Sequence, residues 1–539
     1  MKLFGALLLP VLAAAGPLAS RSGTSPTVKT SNGDITGHPA INRTDVVEYL
    51  GIPFAQPPVG SLRFEPPQKY TGNGALIASK YSAYVRLIWS CPATPGKPID
   101  YPDQTAQAQR IVMNFGDQRG NTESEDCLTL NIWSKASDKK NKPVMVFFYG
   151  GRWSIGETNT PFYSGQYLAD AEDVIVVTVN YRMNIFGFAG APGLTQNAGL
   201  LDQRLATEWV RDNIAAFDGD ASKITIFGQS CGSAAVDYWA YAYQDDPIAS
   251  GIISHSGNAL SFPVNSPQLA EQHWYAAASM LGCGSSGDVL ACMRSVSFED
   301  LEAVTPKIAP PPQSSQARSQ PVFQPSPDNI TVFDDYLGLT IAGKFARLPY
   351  MLGNNDNEAG YYKYNAFAKG TILPNADWDD FNAEDFTCPN ALQSLARFAY
   401  NVPVYRFRYF GDWDNIRLYP NSSAYHGSDI ELIFGASQDV SGIPESAAQT
   451  QLQSKMMHAW ASFADDPSNG ITTNSGWPRY NPLKPTLISL GEDNSANPAF
   501  IDPLTFDKKC FTLDMPLGAL NLTVDWAAIN KTIHEYIDR

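Results

Sequence analysis

Basic residues are scarce in this chain of 539 residues. It has 38 lysines and arginines against 54 aspartates and glutamates, which gives a formal net charge of −16 at pH 7. This charge repels phosphate backbones and anionic membrane surfaces, so we expect no nucleic-acid partner. Hydrophobic residues make up 44% and aromatic residues 12% of the chain, which supplies a large core and excludes a disordered protein.

Long apolar runs are also lacking, apart from one at the N-terminus. Lys2 precedes an apolar segment from Leu3 to Leu12, and small residues follow as far as Ser20. This order is typical of a secretory signal peptide, and the apolar segment is too short to span a membrane. We therefore predict a signal peptide at 1–20, one domain over 21–539, and a secreted product without a transmembrane segment.

Asn-x-Ser/Thr sequons occur five times, as expected for a glycosylated secreted protein. The predicted acceptors are Asn42, Asn329, Asn421, Asn521 and Asn530.

Continuous apolar runs rich in β-branched residues occupy 144–148, 174–179 and 224–227. Such runs predict strands buried on both faces of a parallel sheet. Between them, 202–214 carries apolar residues at helical spacing, and further strands are expected at 349–352 and 404–410. The alternation indicates an α/β protein.

The third of these strands leads into a Gly-x-Ser-x-Gly motif at 228–232. A strand that turns into a helix at such a motif lifts the serine out of a strained turn, where its glycine neighbours leave room that a Cβ would fill. Ser230 is therefore the candidate nucleophile.

A serine nucleophile needs a base, an acid that orients the base, and donors for the oxyanion. Among only six histidines, His426 lies in a turn-rich segment after a strand and fits the chain order serine, acid, histidine. Asp356 and Glu358 share one loop after an earlier strand, and either could orient His426.

The oxyanion donors are predicted in the turn after the strand at 144–148. Glycines there free backbone N–H groups to face a developing negative charge, and the N–H of Cys231 should complete the hole. The donors are assigned to Gly151, Arg152 and Cys231, with substrate contacts at Gly150, Trp153 and Gln229. This chemistry needs no metal and no organic cofactor.

Cysteine is sparse and odd in number, with seven residues. Cys283 and Cys292 could close a small loop, and Cys91 with Cys127 a larger one. We expect Cys231 to stay free, because a disulfide there would tether the backbone that presents Ser230. Cys388 and Cys510 remain as a third candidate pair.

Two segments read as loops. Residues 306–327 are rich in proline, serine and glutamine without periodicity, so we predict a long surface loop. Residues 91–127 are polar and contain proline, which suits either a structural excursion or a lid over the site.

Longer blocks carry a resemblance to a known family. They lie at 51–60, 125–131, 180–182 and 199–204, and at 256–257, 357–358, 426–427 and 477–478. The chain resembles the type-B carboxylesterases of the cholinesterase-like α/β-hydrolase family, in the style of its secreted fungal members. The resemblance implies an α/β-hydrolase fold, with a large mostly parallel sheet flanked by helices and a disulfide-stapled, lid-like loop. It also implies Glu358 as the acid, and disulfides that join Cys91 to Cys127 and Cys283 to Cys292.

Three residues depart from the family pattern. Arg152 stands where a third glycine is usual, Gln229 replaces the usual glutamate before the serine, and Cys231 replaces alanine. The guanidinium gained at Arg152 and the carboxylate lost at Gln229 make the site more positive, which favours a substrate with a carboxylate or phenolate. The alternative is a local ion pair of Arg152, for example with Glu157. Cholinesterases hold choline on a tryptophan within the first disulfide loop, and none lies between Cys91 and Cys127, so a choline ester is disfavoured.

The sequence thus predicts a secreted serine hydrolase that acts on small-molecule esters through Ser230, His426 and Glu358. A lipase, or an enzyme that transfers an acyl group or closes a lactone, would use the same triad. The alternative from another class is a non-catalytic binding protein.

Overall fold

The apolar runs of the sequence form the central strands of one large sheet. The computed structural model describes residues 26–78, 90–93, 98–117, 122–312 and 314–512. The predicted signal peptide and the sequons at Asn521 and Asn530 lie outside the described residues. The strands are β1 (Thr27–Thr30), β2 (Gly33–Thr36), β3 (His38–Pro39), β4 (Val46–Pro53), β5 (Leu76–Ile77), β6 (Thr129–Lys135), β7 (Lys142–Phe148), β8 (Ile175–Val179), β9 (Gly219–Gln229), β10 (Gly251–His255), β11 (Tyr350–Asn355), β12 (Val404–Tyr409), β13 (Leu487–Leu490) and β14 (Ala499–Ile501).

Helices cover both faces of the sheet. They are α1 (Ala108–Val112), α2 (Gln166–Glu172), α3 (Asn184–Gly187), α4 (Ala198–Asn213), α5 (Cys231–Ala242), α6 (Pro267–Met280), α7 (Leu290–Ser295), α8 (Phe298–Val304), α9 (Tyr336–Ile341), α10 (Ala359–Phe367), α11 (Asn375–Asn382), α12 (Cys388–Ala399), α13 (Ser428–Phe434), α14 (Ser437–Ser441), α15 (Ala447–Asp465) and α16 (Leu504–Thr512). None of these helices has the length and apolar character needed to cross a bilayer.

The sheet has 11 strands in the order β14-β13-β12-β11-β10-β9-β7-β8-β6-β4-β3. Strands from β8 to β13 pair in parallel, and the outer pairs at both edges are antiparallel. The three N-terminal pieces β1, β2 and β5 form a small separate sheet. This architecture confirms the predicted α/β-hydrolase fold.

Central strands are buried along their whole length. Every residue of β7, β8, β10, β11 and β12 is buried, as expected for parallel strands covered by helices on both faces. Each predicted strand appears, and the predicted helix at 202–214 corresponds to α4. Because parallel strands end at the same edge, the segments that follow β7, β9, β11 and β12 converge there.

The prediction of a long surface loop at 306–327 holds for the first half of the segment, where most described residues of 306–317 are exposed or half-buried, and is wrong for the second half. Most of 318–326 is buried, because side chains from other elements satisfy its backbone. Asn265 donates to the carbonyl of Val322 at 2.8 Å, and the backbone N–H of Ser326 donates to Asn197 at 3.0 Å. A segment without periodicity can be buried when its polar backbone finds such partners.

Disulfides join Cys91 to Cys127, Cys283 to Cys292, and Cys388 to Cys510. Cys231 is free and buried. The segment between Cys91 and Cys127 includes α1 and passes over the edge of the sheet where the candidate catalytic residues lie, since its Pro98, Ile99 and Phe115 line the same cavity as Ser230. Of the two interpretations of this segment, its position favours the lid-like one.

Candidate active site

Ser230 occupies a sharp turn between β9 and α5. Its backbone has φ 58° and ψ −125°, a combination that non-glycine residues rarely adopt. Its N–H donates to the carbonyl of His255 at 2.8 Å. A Cβ on Gly228 would overlap the backbone of Gly232, and one on Gly232 would overlap the carbonyl of Phe148. The motif therefore needs glycine at both positions to present Ser230 at the end of its strand.

Glu358 and His426 form a buried pair. Glu358 follows β11, His426 follows β12, and the imidazole Nδ1 lies 2.6 Å from Glu358 Oε2. The other carboxylate oxygen, Oε1, accepts hydrogen bonds from the Ser256 hydroxyl and from the backbone N–H of Asn355, each at 2.7 Å. With three donors, the carboxylate is fixed to orient the ring and to stabilise a positive charge on it.

The second ring nitrogen, His426 Nε2, is buried and has no hydrogen-bond partner among the described residues. With Nδ1 donating to Glu358, Nε2 is the proton acceptor of the neutral ring. His426 and Ser230 line one cavity, although no hydrogen bond joins the Ser230 hydroxyl to this nitrogen. Hydrogen bonds of this kind are commonly long in free enzymes and tighten with substrate.

The ring of His426 is held by aromatic packing as well. Tyr362 and Phe386 lie against it with centroid distances of 5.1 and 5.2 Å. Asp356, the other candidate acid, instead receives a hydrogen bond from Arg408 Nε at 2.9 Å. The structure thus places Glu358, and not Asp356, against the histidine.

The turn after β7 has an unusual backbone. Gly151 has φ 114°, and the non-glycine residues Arg152 and Trp153 have φ 57° and 58°. The N–H of Trp153 donates to the sulfur of Cys231 at 3.3 Å, and the N–H of Arg152 also faces this sulfur. Burial raises the pKa of the Cys231 thiol to about 11, although these donors act against the shift. The thiol therefore lies against the loop predicted to hold the oxyanion.

The three predicted substrate contacts occupy different environments. Gln229 lines the cavity, whereas Gly150 and Trp153 do not. The indole of Trp153 is buried against the rings of Phe188 and Tyr238, at centroid distances of 5.2 and 6.4 Å. Gly150 lies so close to Ser230 that a Cβ on it would come within 2.7 Å of the serine Cβ. Gly150 and Trp153 therefore shape the turn without lining the cavity.

The cavity has a volume of about 560 Å³, a size suited to a small organic molecule. Its floor is formed by Gly151, Arg152, Gln229, Ser230 and His426. Its walls come from the 91–127 segment, from 316–319, and from α10 and the turn after it. The described residues hold no cluster of three or more His, Cys, Asp or Glu side chains suited to a metal ion.

Comparison with known proteins shows the family of this chain. The profile of the Carboxylesterase family matches residues 24–387 and 381–502. This chain belongs to the carboxylesterase family. It is similar to Secreted lipase 5 of Gibberella zeae, with 33% identity over 526 residues, which cover 91% of this chain and 95% of that protein.

Two further relatives have different names. Chlorogenic acid esterase of Aspergillus niger is 34% identical over 454 residues, covering 82% of this chain and 83% of that enzyme. Acetylcholinesterase of Electrophorus electricus is 34% identical over 385 residues, covering 67% of this chain and 56% of that enzyme. Together with the family match, these relatives identify this carboxylesterase as a carboxylic ester hydrolase acting on small esters.

Arg152 is the charged residue of the turn after β7. Its Nη2 donates to the backbone carbonyl of Ser319, and its Nε is buried without a hydrogen-bond partner among the described residues. Burial lowers the pKa of Arg152, and the neighbouring Arg318 lowers it further. No ion pair joins Arg152 to Glu157; the Glu157 carboxylate accepts a hydrogen bond from the Ser90 hydroxyl. The guanidinium therefore borders the cavity.

A second histidine–carboxylate pair, which was not predicted from the sequence, lies next to the strand-to-helix turn of Ser230. His255 Nδ1 lies 2.6 Å from Asp429 Oδ2, and Trp460 donates to His255 Nε2 at 2.9 Å. Both ring nitrogens are occupied, so this histidine supports the site without serving as a base. Asn355 links the pair to the catalytic loops, since its amide donates to the carbonyl of Tyr425 at 2.6 Å and to Asp429 at 3.1 Å. An aspartate three residues after His426 was the only local signal.

Proposed function

We propose that this carboxylesterase is a secreted serine hydrolase that cleaves small esters through an acyl-enzyme on Ser230. The buried pair of His426 and Glu358 carries the proposal, because its free Nε2 borders the cavity that Ser230 also lines. A base held in one tautomer beside a nucleophile is the requirement of acyl transfer.

In the proposed reaction, the Ser230 hydroxyl attacks the ester carbonyl while its proton passes to His426 Nε2. Glu358 keeps Nδ1 protonated and stabilises the imidazolium. The backbone N–H groups of Gly151 and Cys231 hold the oxyanion in this proposal, and the N–H of Arg152 joins them by turning away from the Cys231 sulfur that it faces in the free protein. The imidazolium then returns its proton to the leaving alkoxide, and water activated by the same nitrogen releases the acid and restores Ser230.

Two observations support secretion. One relative is named as secreted, and the sequons at Asn42, Asn329 and Asn421 are exposed, as glycosylation requires. Purification of the expressed full chain from the culture medium, with sequencing of its first residues, checks the predicted cleavage near residue 20.

The first test compares the wild type with Ser230→Ala on p-nitrophenyl esters of increasing acyl length. Loss of the nucleophile should lower kcat by several orders of magnitude, about 10⁴-fold or more, while folding is unchanged. Release of p-nitrophenol and the circular dichroism spectrum are measured together.

Retention of turnover in Ser230→Ala would contradict the proposed nucleophile. The acyl length of highest kcat/KM separates a short-chain esterase from a lipase. Added alcohols identify acyl transfer, because a transferring enzyme forms a new ester in place of the free acid. A binding protein without activity would turn over none of these esters.

A further inference from the structure

Two cations border the catalytic cavity without a carboxylate partner. Arg152 lies on its floor, and Lys369 lies in the turn after α10 on its wall. Neither forms an ion pair with any acidic side chain of the described ranges, although acidic residues dominate the whole sequence. Burial and the charge of Arg152 lower the pKa of Lys369. Lys369 is exposed and Arg152 half-buried, so solvent screens part of the repulsion between the two charges, and both remain available to a ligand.

The third cation of the cavity, Arg318, is different. Its Nε lies 3.1 Å from Asp385 Oδ2, and its guanidinium packs 4.4 Å from the ring centroid of Phe262. Its charge is balanced, so Arg318 serves as a fixed wall. Among the described residues that line the cavity, Arg152 and Lys369 are the cations that leave positive charge for a ligand.

An independent observation concerns Gln229, the residue before the nucleophile. It is fully buried, it lines the cavity, and neither atom of its side-chain amide has a hydrogen-bond partner among the described residues. A buried amide is normally satisfied on both atoms. The amide oxygen stands beside Gly150, where a built Cβ would come within 2.5 Å of it, and a molecule bound at this end of the cavity can supply the missing partners.

We propose that Arg152, Lys369 and Gln229 form a subsite for a carboxylate carried by the ester substrate. The inference rests on the proposed function and names its substrate class: small esters with a free carboxylate on either the acyl or the alcohol side. The guanidinium supplies a planar pair of donors, the ammonium supplies a point charge, and the amide N–H completes the set.

The experiment uses two matched pairs of esters. Mono-4-nitrophenyl glutarate and its methyl ester differ by a carboxylate on the acyl side. 3-Acetoxybenzoate and its methyl ester differ by a carboxylate on the alcohol side. For each pair, the ratio of kcat/KM for the anionic ester to that for the neutral ester reports the subsite, and the pair with the higher ratio identifies the side.

In one of the two pairs the anionic ester should be preferred by the wild type. Lys369→Met and Arg152→Met should each lower this ratio about tenfold, as expected for a lost charge-assisted hydrogen bond. Lys369→Arg should retain it. Lys363→Met is the matched control, because Lys363 lies on α10, is half-buried, and does not line the cavity.

Hydrolysis of the neutral esters without preference for the anionic partner in either pair would overturn the subsite and leave the proposed function standing. An anionic preference that both methionine variants retain would also overturn it. Failure to hydrolyse any ester of either pair, anionic or neutral, would overturn the proposed function, and the subsite with it.

Discussion

At the scale of single residues, the side chain of Cys231 links the nucleophile to the turn after β7. Arg152 and Trp153 both have positive φ, a conformation that costs about 1 kcal/mol or more for a residue with a Cβ. The sulfur of Cys231 accepts the N–H of Trp153 and so helps to hold this conformation. The backbone turn at Arg152 and the side chain of Cys231 are therefore physically connected.

Replacement of Cys231 by alanine should lower kcat more than it raises KM. The loss of one hydrogen bond predicts a decrease of about three- to tenfold, because the turn then holds its oxyanion donors less firmly. Cys231→Ser should retain part of the activity, since its hydroxyl can accept the same N–H. Steady-state kinetics on a neutral p-nitrophenyl ester measure the effect.

The double variant Cys231→Ala/Arg152→Gly provides the control. Glycine adopts positive φ without strain, so the double variant should lose less kcat than the two single effects predict together. Additive effects would show that the thiol and Arg152 act independently.

Some single-residue features of the site can be predicted from the sequence, and others cannot. The Gly-x-Ser-x-Gly turn is encoded locally, so Ser230 and its two glycines are predictable. Asp356 and Glu358 are not separable by pattern, because Arg408 in a neighbouring strand pairs with Asp356. Lys369 reaches the cavity only through the packing of α10, and nothing in its local sequence indicates this.

At the scale of elements, α8 packs near the base of the 91–127 segment through two buried carboxyl groups. Burial raises the pKa of Glu302 to about 8, and the nearby Glu123 contributes. Burial likewise raises the pKa of Glu123 to about 7, with a smaller contribution from Glu157. Both groups are protonated in the folded protein at a pH where they are ionised in the unfolded chain.

The protein should therefore be most stable on the acid side of this range. Because the folded pKa exceeds the unfolded one, the folded state binds more protons, and the free energy of unfolding falls as the pH rises from about 4.5 to about 8. In Glu302→Gln the melting temperature should fall less between pH 5 and pH 8 than in the wild type.

Glu271→Gln is the control, since Glu271 is an exposed glutamate on α6 and is not among the charges that act on Glu302. Thermal unfolding at five pH values compares the three proteins. An equal decrease in melting temperature for Glu302→Gln and the wild type would contradict the role of this carboxyl group.

Secondary-structure elements also differ in how well the sequence predicts them. The buried strands were predictable because an unbroken β-branched run suits a strand covered on both faces. The burial of 318–326 was not, because it depends on Asn197, Asn265 and His273, which lie far away in the chain. Partners distant in sequence leave no local pattern.

At the scale of the whole molecule, α16 is fastened by two links, one to α12 and one to the sheet. The disulfide between Cys388 and Cys510 spans 122 residues of sequence. Beside it, Arg406 of β12 donates to Asp507 of α16 through both terminal nitrogens, one at 2.7 Å. Both side chains of this ion pair are almost fully buried.

Asp507→Asn should lower the free energy of unfolding by about 3–5 kcal/mol, because it leaves a buried guanidinium without its carboxylate. Urea denaturation measures the change. Asp465→Asn is the control: Asp465 pairs with Lys223 at an exposed site, and its loss should cost about 1 kcal/mol or less. Equal losses in the two variants would contradict the argument.

The reacting groups and the walls of the cavity come from different parts of the chain. The reacting groups stand at strand ends, whereas the walls come from inserted segments and from α10. Because of this division, substitutions in the wall residues can change the substrate specificity during evolution while the reaction stays the same. Arg152 is the exception, because it belongs to both parts. A descendant that gained or lost this arginine would change its substrate specificity and its catalytic turn in a single step. The substitutions already present around this position would therefore decide whether such a step is tolerated.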